Sequence, residues 1–159
     1  MTDRPYVAVC GAGVASEREA AWAEEVGRLL AEAGAILVCG GLGGVMDAAA
    51  RGCASAGGTS IGILPSDSRS GASRHLSIAV PTGLGEARNA LVVRAADAVI
   101  AIGGEFGTLS EIALALKTGT PVVGLGTWEL AKGGRAVEAI ERVSDPEEAV
   151  RRALDLAEQ

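Results

Sequence analysis

Residues 97–119, DAVIAIGGEFGTLSEIALALKTG, carry the pattern that decides the fold. An apolar run, DAVIAI, ends at a pair of glycines, and an apolar segment of helical length follows and ends at Gly119. A buried strand that turns through glycines into a helix is the repeating unit of proteins that alternate strands and helices. The stretch therefore predicts a strand over 97–102 and a helix from Thr108 to Lys117.

The same unit recurs along the chain. Short apolar runs that end in Gly, Cys-Gly or Pro predict further strands at Tyr6–Cys10, Ala35–Cys39, Thr59–Leu64, Leu76–Val80 and Pro121–Leu125, with a weaker one near Ala139–Val143. Continuous apolar strands between helices are typical of a parallel sheet that is covered on both faces. We therefore predict an α/β fold: a doubly wound, mostly parallel Rossmann-like sheet of six to seven strands with helices on both faces, forming one domain over residues 1–159.

Helix boundaries are marked by capping residues. Ser16 and Glu19 form a capping box that predicts a helix through about Ala33, and Asp145 followed by Pro146 predicts the start of the last helix. Further helices are expected at Val45–Ala56 and Glu86–Ala95. The polar segment 66–74, SDSRSGASR, predicts a mobile loop.

Composition excludes several classes of function. The formal net charge is −6, with only two lysines, which argues against a nucleic-acid partner or an anionic membrane surface. A single histidine makes a zinc site improbable. Three cysteines without CxxC spacing predict buried thiols in a reducing compartment. No signal peptide or membrane-spanning run is visible, so a cytoplasmic location is expected.

Glycine clusters follow three of the predicted strands, at 11–13, 40–44 and 103–107. Strand ends of a parallel sheet share one edge, so the three clusters are expected to meet at a single crevice. Glycine loops that enter helices expose backbone N–H groups, which attract phosphate. An NAD(P) site is not favoured, since Ser16 stands at the third fingerprint position and no acidic residue ends the second strand; the P-loop sequence GxxxxGK[ST] is absent.

Two motifs, GGLGGVM at 40–46 and GGEFGTLSE at 103–111, with Arg88-Asn89 between them, resemble the LOG-type family. This Rossmann-like superfamily includes phosphoribohydrolases that cleave nucleoside 5′-monophosphates, molybdenum-cofactor carrier proteins and proteins mislabelled as lysine decarboxylases. The resemblance covers about residues 6–125. The segments IGILP, EARN and ADAVIAIGG are closest to the carrier-like branch.

The resemblance implies a site in which Arg88 and Glu111 are catalytic. It also implies binding of a nucleotide or other phosphate ligand by Gly11, Gly13, Gly40, Gly41, Gly44, Met46, Asn89, Gly103, Gly104, Gly107 and Thr108, without a metal or a cofactor. Glu105 replaces a glycine of the family motif, and a carboxylate there opposes a phosphate dianion unless it points outward. We expect Glu111 to stay ionised in the first turn of its helix.

Simpler roles remain open for several of these residues. Thr108 and Glu111 also fit a capping box, Arg88 fits a solvated surface charge, and Met46 fits the core. Arg69, Arg74 and His75 fit either a lid or a plain surface loop, and Trp128 fits either base stacking or packing.

The helix sequence IALAL at 112–116 is apolar on every face, which predicts a second buried surface and a homodimer through the 108–118 helix. The resemblance implies the same pairing. Two functions stay open: a nucleoside 5′-monophosphate phosphoribohydrolase that releases free base and ribose 5-phosphate, or a non-catalytic carrier or sensor of a nucleotide-like or molybdenum-cofactor-type ligand. Neither lysine supports a decarboxylase.

Overall fold

A seven-stranded parallel sheet forms the centre of the computed structural model, which describes residues 3–159. The strands are β1 (Tyr6–Gly11), β2 (Ile36–Cys39), β3 (Thr59–Leu64), β4 (Ile78–Pro81), β5 (Ala98–Ile102), β6 (Val122–Leu125), β7 (Leu130–Lys132), β8 (Arg135–Val137) and β9 (Ile140–Val143). The helices are α1 (Glu17–Glu32), α2 (Val45–Ser55), α3 (Arg88–Arg94), α4 (Phe106–Thr118) and α5 (Pro146–Ala157), and a 3₁₀ turn at Gly85–Ala87 precedes α3.

The order of the strands in the sheet is β4-β3-β2-β1-β5-β6-β9, and all pairs in it are parallel. The chain therefore leaves β1 toward one edge of the sheet and returns through β5 toward the other. In open α/β sheets, the point where the order reverses leaves a crevice at the carboxyl ends of the two central strands. The predicted doubly wound α/β fold is confirmed.

Alternate residues of the buried strands supply two separate cores. Val7 and Val9 of β1 pack in the core under α1, α2 and α5, whereas Ala8 and Cys10 pack in the core under α3 and α4. Strand side chains point alternately to the two faces, so a continuous apolar strand is needed where helices cover both. All three cysteines are buried and free.

Helices α1 and α2 pack in direct backbone contact. A side chain at Gly27 would overlap the carbonyl of Ala49, and one at Gly52 would overlap the carbonyl of Glu24. Glycine is therefore required in the middle of both helices, despite its cost of about 1 kcal/mol relative to alanine. The sequence analysis did not single out this pair.

Three sequence predictions need correction. Helix α4 begins at Phe106, one residue after the N-cap Glu105, so Thr108 lies inside the helix and the predicted Thr108–Glu111 capping box is wrong. A short antiparallel hairpin, β7–β8, was missed although Gly133-Gly134 is a two-residue hairpin turn signal. The fourth strand, at Ile78–Pro81, begins two residues later and ends one residue later than predicted.

The 66–74 segment is fixed to the second glycine cluster by Ser73. The Ser73 amide donates to the carbonyl of Gly41 (2.8 Å), and its hydroxyl donates to Oδ1 of Asp47 (2.6 Å). Across residues 3–159, no helix has both the length and the apolar character that crossing a bilayer requires.

Candidate functional site

A pocket of about 170 Å³ lies at the carboxyl ends of β1 and β5, where the strand order reverses. The side chains and backbone around it come from the loop after β1, the start of α2, the start of α3 and the first two turns of α4. The pocket is lined by Cys10, Gly11, Ala12, Gly13, Met46, Arg88, Asn89, Glu105, Gly107, Thr108 and Glu111.

Two of the helices that begin at the pocket, α2 and α4, have no side-chain caps. In α1 and α5, the side chains of Ser16 and Asp145 accept hydrogen bonds from the first turn. In α2 and α4, the N-cap residues Gly44 and Glu105 make no such bond. First-turn N–H groups have no partner within their own helix, and they carry the positive end of its dipole. Uncapped amides at a pocket wall, such as those at the start of α4, are suited to bind an anion. The first amide of α2, at Val45, instead donates to the carbonyl of Ala12 (3.0 Å).

Arg88 is a buried cation at the wall of this pocket, only 9% exposed. Its guanidinium donates from Nη1 to Oδ1 of Asn89 and from Nη2 to the carbonyl of Gly40 (3.3 Å). Its Nε is buried and has no hydrogen-bond partner among residues 3–159. A buried N–H of a charged group without a partner is costly, so the described residues leave the guanidinium incompletely paired at the wall of the pocket. The surface-charge alternative for Arg88 is therefore wrong.

Asn89 and Ser110 tie Arg88 to the start of α4. The Asn89 amide donates to the Ser110 hydroxyl (3.1 Å), which in turn donates to the carbonyl of Gly107 (2.6 Å). This chain of hydrogen bonds joins α3 to α4 and holds the guanidinium at a fixed place relative to the uncapped amides. The sequence analysis did not select Ser110.

Glu111 is the buried acid of the pocket, 6% exposed and in the second turn of α4. Its pKa is raised to about 7, chiefly by burial, although the adjacent Cys10 thiol and the charge of Arg88 both lower it. Burial disfavours the charged form of a carboxyl. Burial therefore opposes the ionised form that the sequence analysis expected for Glu111, and a pKa of about 7 leaves both forms of the carboxyl populated at neutral pH.

The glycines near the pocket have two different structural roles. Gly13 and Gly107 have open space where a side chain would begin, and neither has a positive φ. Packing and backbone conformation therefore do not require glycine at these two lining positions. In contrast, a side chain at Gly40 would lie 2.7 Å from both Arg88 Nη2 and Met46 Sδ, and Gly44, with φ of +64°, lies against the carbonyl of Ala12.

A family model matches residues 4–151, and its description is the SLOG cluster4 family. The chain belongs to the SLOG cluster4 family. An uncharacterised protein of Archaeoglobus fulgidus is 42% identical over 144 residues, which are 91% of each chain.

Solved structures of similar proteins extend the SLOG comparison over nearly the whole chain. A molybdenum cofactor binding protein from Rippkaea orientalis has a TM-score of 0.88 at 34% identity and covers 98% of this chain and 99% of its own. The molybdenum cofactor carrier protein of Chlamydomonas reinhardtii has a TM-score of 0.84 at 32% identity and covers 98% of this chain and 99% of its own.

The pocket is lined by most, but not all, of the residues that were selected from the sequence. The predicted residues that line the pocket are Gly11, Gly13, Met46, Arg88, Asn89, Gly107, Thr108 and Glu111. Gly40, Gly41 and Gly44 do not line it. Gly40 lies against the Arg88 guanidinium, Gly41 lies against Leu64 and Gly62 of β3, and Gly44 is the N-cap of α2. Gly103 and Gly104 line a neighbouring, more open cleft with Glu19, Thr127 and Trp128.

The remaining alternatives divide as follows. Met46 both lines the pocket and packs on the core. Trp128 packs against Phe106, with ring centroids 5.6 Å apart, and its indole N–H donates to the Glu105 carbonyl (3.2 Å). It does not line the main pocket, so of the two alternatives the structure supports packing. Arg69, Arg74 and His75 do not line the pocket, so nothing supports a lid from this loop.

Cys10, Ala12 and Glu105 line the pocket without having been chosen as ligand contacts. Cys10 and Ala12 could have been expected at the pocket, because they are the sequence neighbours of Gly11, which was selected. Glu105 was expected only to oppose an anion; its side chain is exposed at the rim. Within residues 3–159, no group of three or more His, Cys, Asp or Glu side chains is arranged to hold a metal ion.

Proposed function

We propose that this protein binds a phosphate-bearing small molecule at the pocket between β1 and β5 and acts as a carrier of a molybdenum-cofactor-type ligand. The observation that carries the proposal is the buried Arg88, whose incompletely paired guanidinium lines the same pocket as Gly107 and Thr108 of the uncapped first turn of α4. A guanidinium and backbone amides together bind phosphate through charge-assisted hydrogen bonds. The cargo is supported by near full-length similarity to two proteins described as molybdenum-cofactor binding or carrying.

In this proposal the anionic group of the ligand contacts Arg88 and the backbone at 106–108. The open space beside Gly13 and Gly107 admits it close to the main chain. Gly11, Met46, Asn89 and Thr108 contact the rest of the ligand. Gly40, Gly41, Gly44, Gly103 and Gly104 support the loops instead of touching the ligand.

A second candidate is hydrolysis of nucleoside 5′-monophosphates to free base and ribose 5-phosphate. It is favoured by the convergence of Arg88 and Glu111, the two residues that the LOG resemblance makes catalytic, on the same pocket. A carboxylate near the ribose would stabilise positive charge that develops as the N-glycosidic bond breaks. That role requires an ionised Glu111, and burial opposes it.

One experiment separates the two candidates. Purified protein is incubated with molybdenum cofactor released from a molybdoenzyme, and separately with AMP, and then passed through a desalting column. The carrier proposal expects pterin and molybdenum to co-elute with wild-type protein and to be lost from Arg88→Ala, with no adenine released from AMP. Arg88→Lys, checked with Arg88→Ala by circular dichroism, keeps the charge and should retain part of the cofactor.

Release of adenine that disappears in both Arg88→Ala and Glu111→Gln would establish the hydrolase and reject the carrier. If wild-type protein retains no pterin, the carrier proposal is also wrong.

We further propose a homodimer through α4. Phe106 of α4 is 77% exposed, Leu91 of the neighbouring α3 is 41% exposed, and Ala113 of α4 is also exposed. A groove of about 510 Å³ runs between these helices and shares Asn89 and Gly107 with the anion pocket. An apolar groove of this kind is typical of a surface that is covered by another chain. We retain the cytoplasm as the proposed location, supported by the three free, buried cysteines.

A further inference from the structure

The charge of the pocket lining raises a problem for any dianionic ligand. Among the described residues that line the pocket, Arg88 is the one cation, whereas Glu105 and Glu111 are both acids. With both acids ionised, the side chains carry a net charge of −1. Glu105 is exposed at the rim, where solvent screens it, but Glu111 is buried beside the place where the anion must lie.

Arg88 and Glu111 share the pocket without forming a direct ion pair. None of the ion pairs between described residues includes either side chain. The nitrogen of Arg88 that lacks a partner is therefore not held by Glu111. Both side chains line the same pocket, so an anion bound there can contact the guanidinium and the Glu111 carboxyl together.

We propose that Glu111 binds the anionic ligand as a neutral carboxylic acid, donating a hydrogen bond to it, and that ligand binding draws one proton onto this side chain. The inference rests on the proposed anion site at Arg88 and names the form in which Glu111 takes part. A protonated carboxyl can donate a hydrogen bond to a phosphate oxygen, whereas a carboxylate can only accept. A buried, desolvated carboxyl holds its proton at neutral pH at little cost.

Among the ionisable groups around the pocket, Glu111 is the one that we expect to titrate near neutral pH. The thiols of Cys10 on β1 and Cys39 on β2 stay protonated near neutral pH, because burial raises the pKa of Cys10 well above its ordinary value and that of Cys39 to about 12. Arg88 faces it from α3, and Glu105 lies at the start of its own helix. The pKa of Glu111 itself, raised to about 7, places the proton uptake between neutral and mildly alkaline pH.

The proposal predicts how the affinity for an anion changes with pH. Well below pH 7 the free protein already carries the proton, so affinity for an anion is nearly constant. Above pH 7 the proton must be taken up from solvent on binding, and affinity falls by up to about tenfold for each pH unit. A base role for Glu111 in hydrolysis would give the opposite slope, since it needs the ionised carboxyl.

The test uses inorganic sulfate as probe, because sulfate remains a dianion throughout this range, with AMP as a second probe. Calorimetry between pH 6 and pH 9, in buffers of low and high ionisation enthalpy, gives both the affinity and the number of protons taken up. We expect wild-type protein to take up close to one proton per sulfate at pH 8.5. Glu111→Gln, which is neutral at every pH, should bind with a flat profile and no uptake. Glu105→Gln, the matched change at the rim, should keep the wild-type slope.

Binding that is independent of pH in the wild type, or a slope that survives in Glu111→Gln, overturns this inference and leaves the anion site intact. If neither sulfate nor AMP binds at pH 6, the anion site fails and the inference fails with it. Circular dichroism of each variant at both ends of the pH range confirms that the measured protein is folded.

Discussion

The Nη2 of Arg88 donates to the carbonyl oxygen of Gly40, 3.3 Å away, so the end of β2 positions the cation that begins α3. This contact crosses 48 positions of sequence and joins two motifs that the sequence analysis had placed together only by resemblance. A Cβ at position 40 would lie 2.7 Å from the same nitrogen.

Gly40→Ala should therefore weaken anion binding while the protein stays folded. The added methyl group meets the flexible ends of Arg88 and Met46, which can shift, but the guanidinium then leaves its place in the pocket. We expect a loss of about tenfold in affinity, or about 1.4 kcal/mol, in a binding titration with AMP. A double-mutant cycle with Arg88→Lys tests the cause: an undiminished effect of Gly40→Ala in that background would assign it to Met46 instead.

Gly107→Ala should affect stability and binding in opposite directions. Position 107 is the second residue of α4, has open space where a side chain begins and lines the pocket. Alanine favours a helix over glycine by up to about 1 kcal/mol, so the melting temperature should rise or stay unchanged. The methyl group occupies the ligand's space, so affinity for AMP should fall at least about tenfold. Unchanged affinity would show that the ligand does not approach this turn.

Glu111→Gln should change the pH dependence of stability. The pKa of Glu111 is about 7 in the folded protein against an ordinary 4.5, so the folded state binds more protons than the unfolded state between these values. Stability conferred by the neutral carboxyl is complete below pH 4.5 and is lost as pH rises to 7. The total is about 3 kcal/mol, from 1.36 kcal/mol for each pH unit. In urea unfolding at pH 5 and pH 8, the variant should lack this part of the decline. An equal decline in both proteins would contradict the burial of the acid.

Gly52→Ala should destabilise the fold by about 1–3 kcal/mol without touching the pocket. The new methyl group would overlap the carbonyl of Glu24, which belongs to the backbone of α1 and cannot move alone. Thermal or urea unfolding measures the loss. Gly13→Ala is the matched control for stability, since no atom lies within 4 Å of its added carbon. Equal stability of the two variants would contradict the close contact of α1 and α2.

Leu114→Glu should turn a dimer into a monomer if α4 is the interface. Leu114 is half-buried in the groove between α3 and α4, so a charge there would be trapped in the apolar contact. Sedimentation velocity at several concentrations measures the state. Val137→Glu, at an exposed position on the β7–β8 hairpin, is the control and should keep the wild-type state. A wild-type monomer at all concentrations would reject the proposed pairing.

The sheet could be predicted well from the sequence, because each strand is indicated by a run of consecutive residues. Val7 to Cys10 and Ala98 to Ile102 are apolar without interruption, and only a strand covered on both faces accommodates that pattern. The start of α4 was misplaced because Thr108 and Glu111 have the right spacing for a capping box, while the structure starts the helix at Phe106 without any side-chain cap.

The site was predicted less completely. Which residues line the pocket, and which hold the lining residues in place, depends on contacts between segments that are distant in the sequence. The glycines at 40–44 have the same sequence signal as those at 103–107, yet Gly40 supports Arg88 whereas Gly107 faces open space. The raised pKa of Glu111 was not predicted for a similar reason: proximity to a helix start is visible in the sequence, and the depth of burial is not.

The bare amides at the start of α4 belong to the main chain, so every substitution that keeps the helix also keeps them. Attraction for a negative group at this pocket therefore follows from the backbone of α4, and an exchange of a rim side chain such as that of Glu105 leaves that attraction in place.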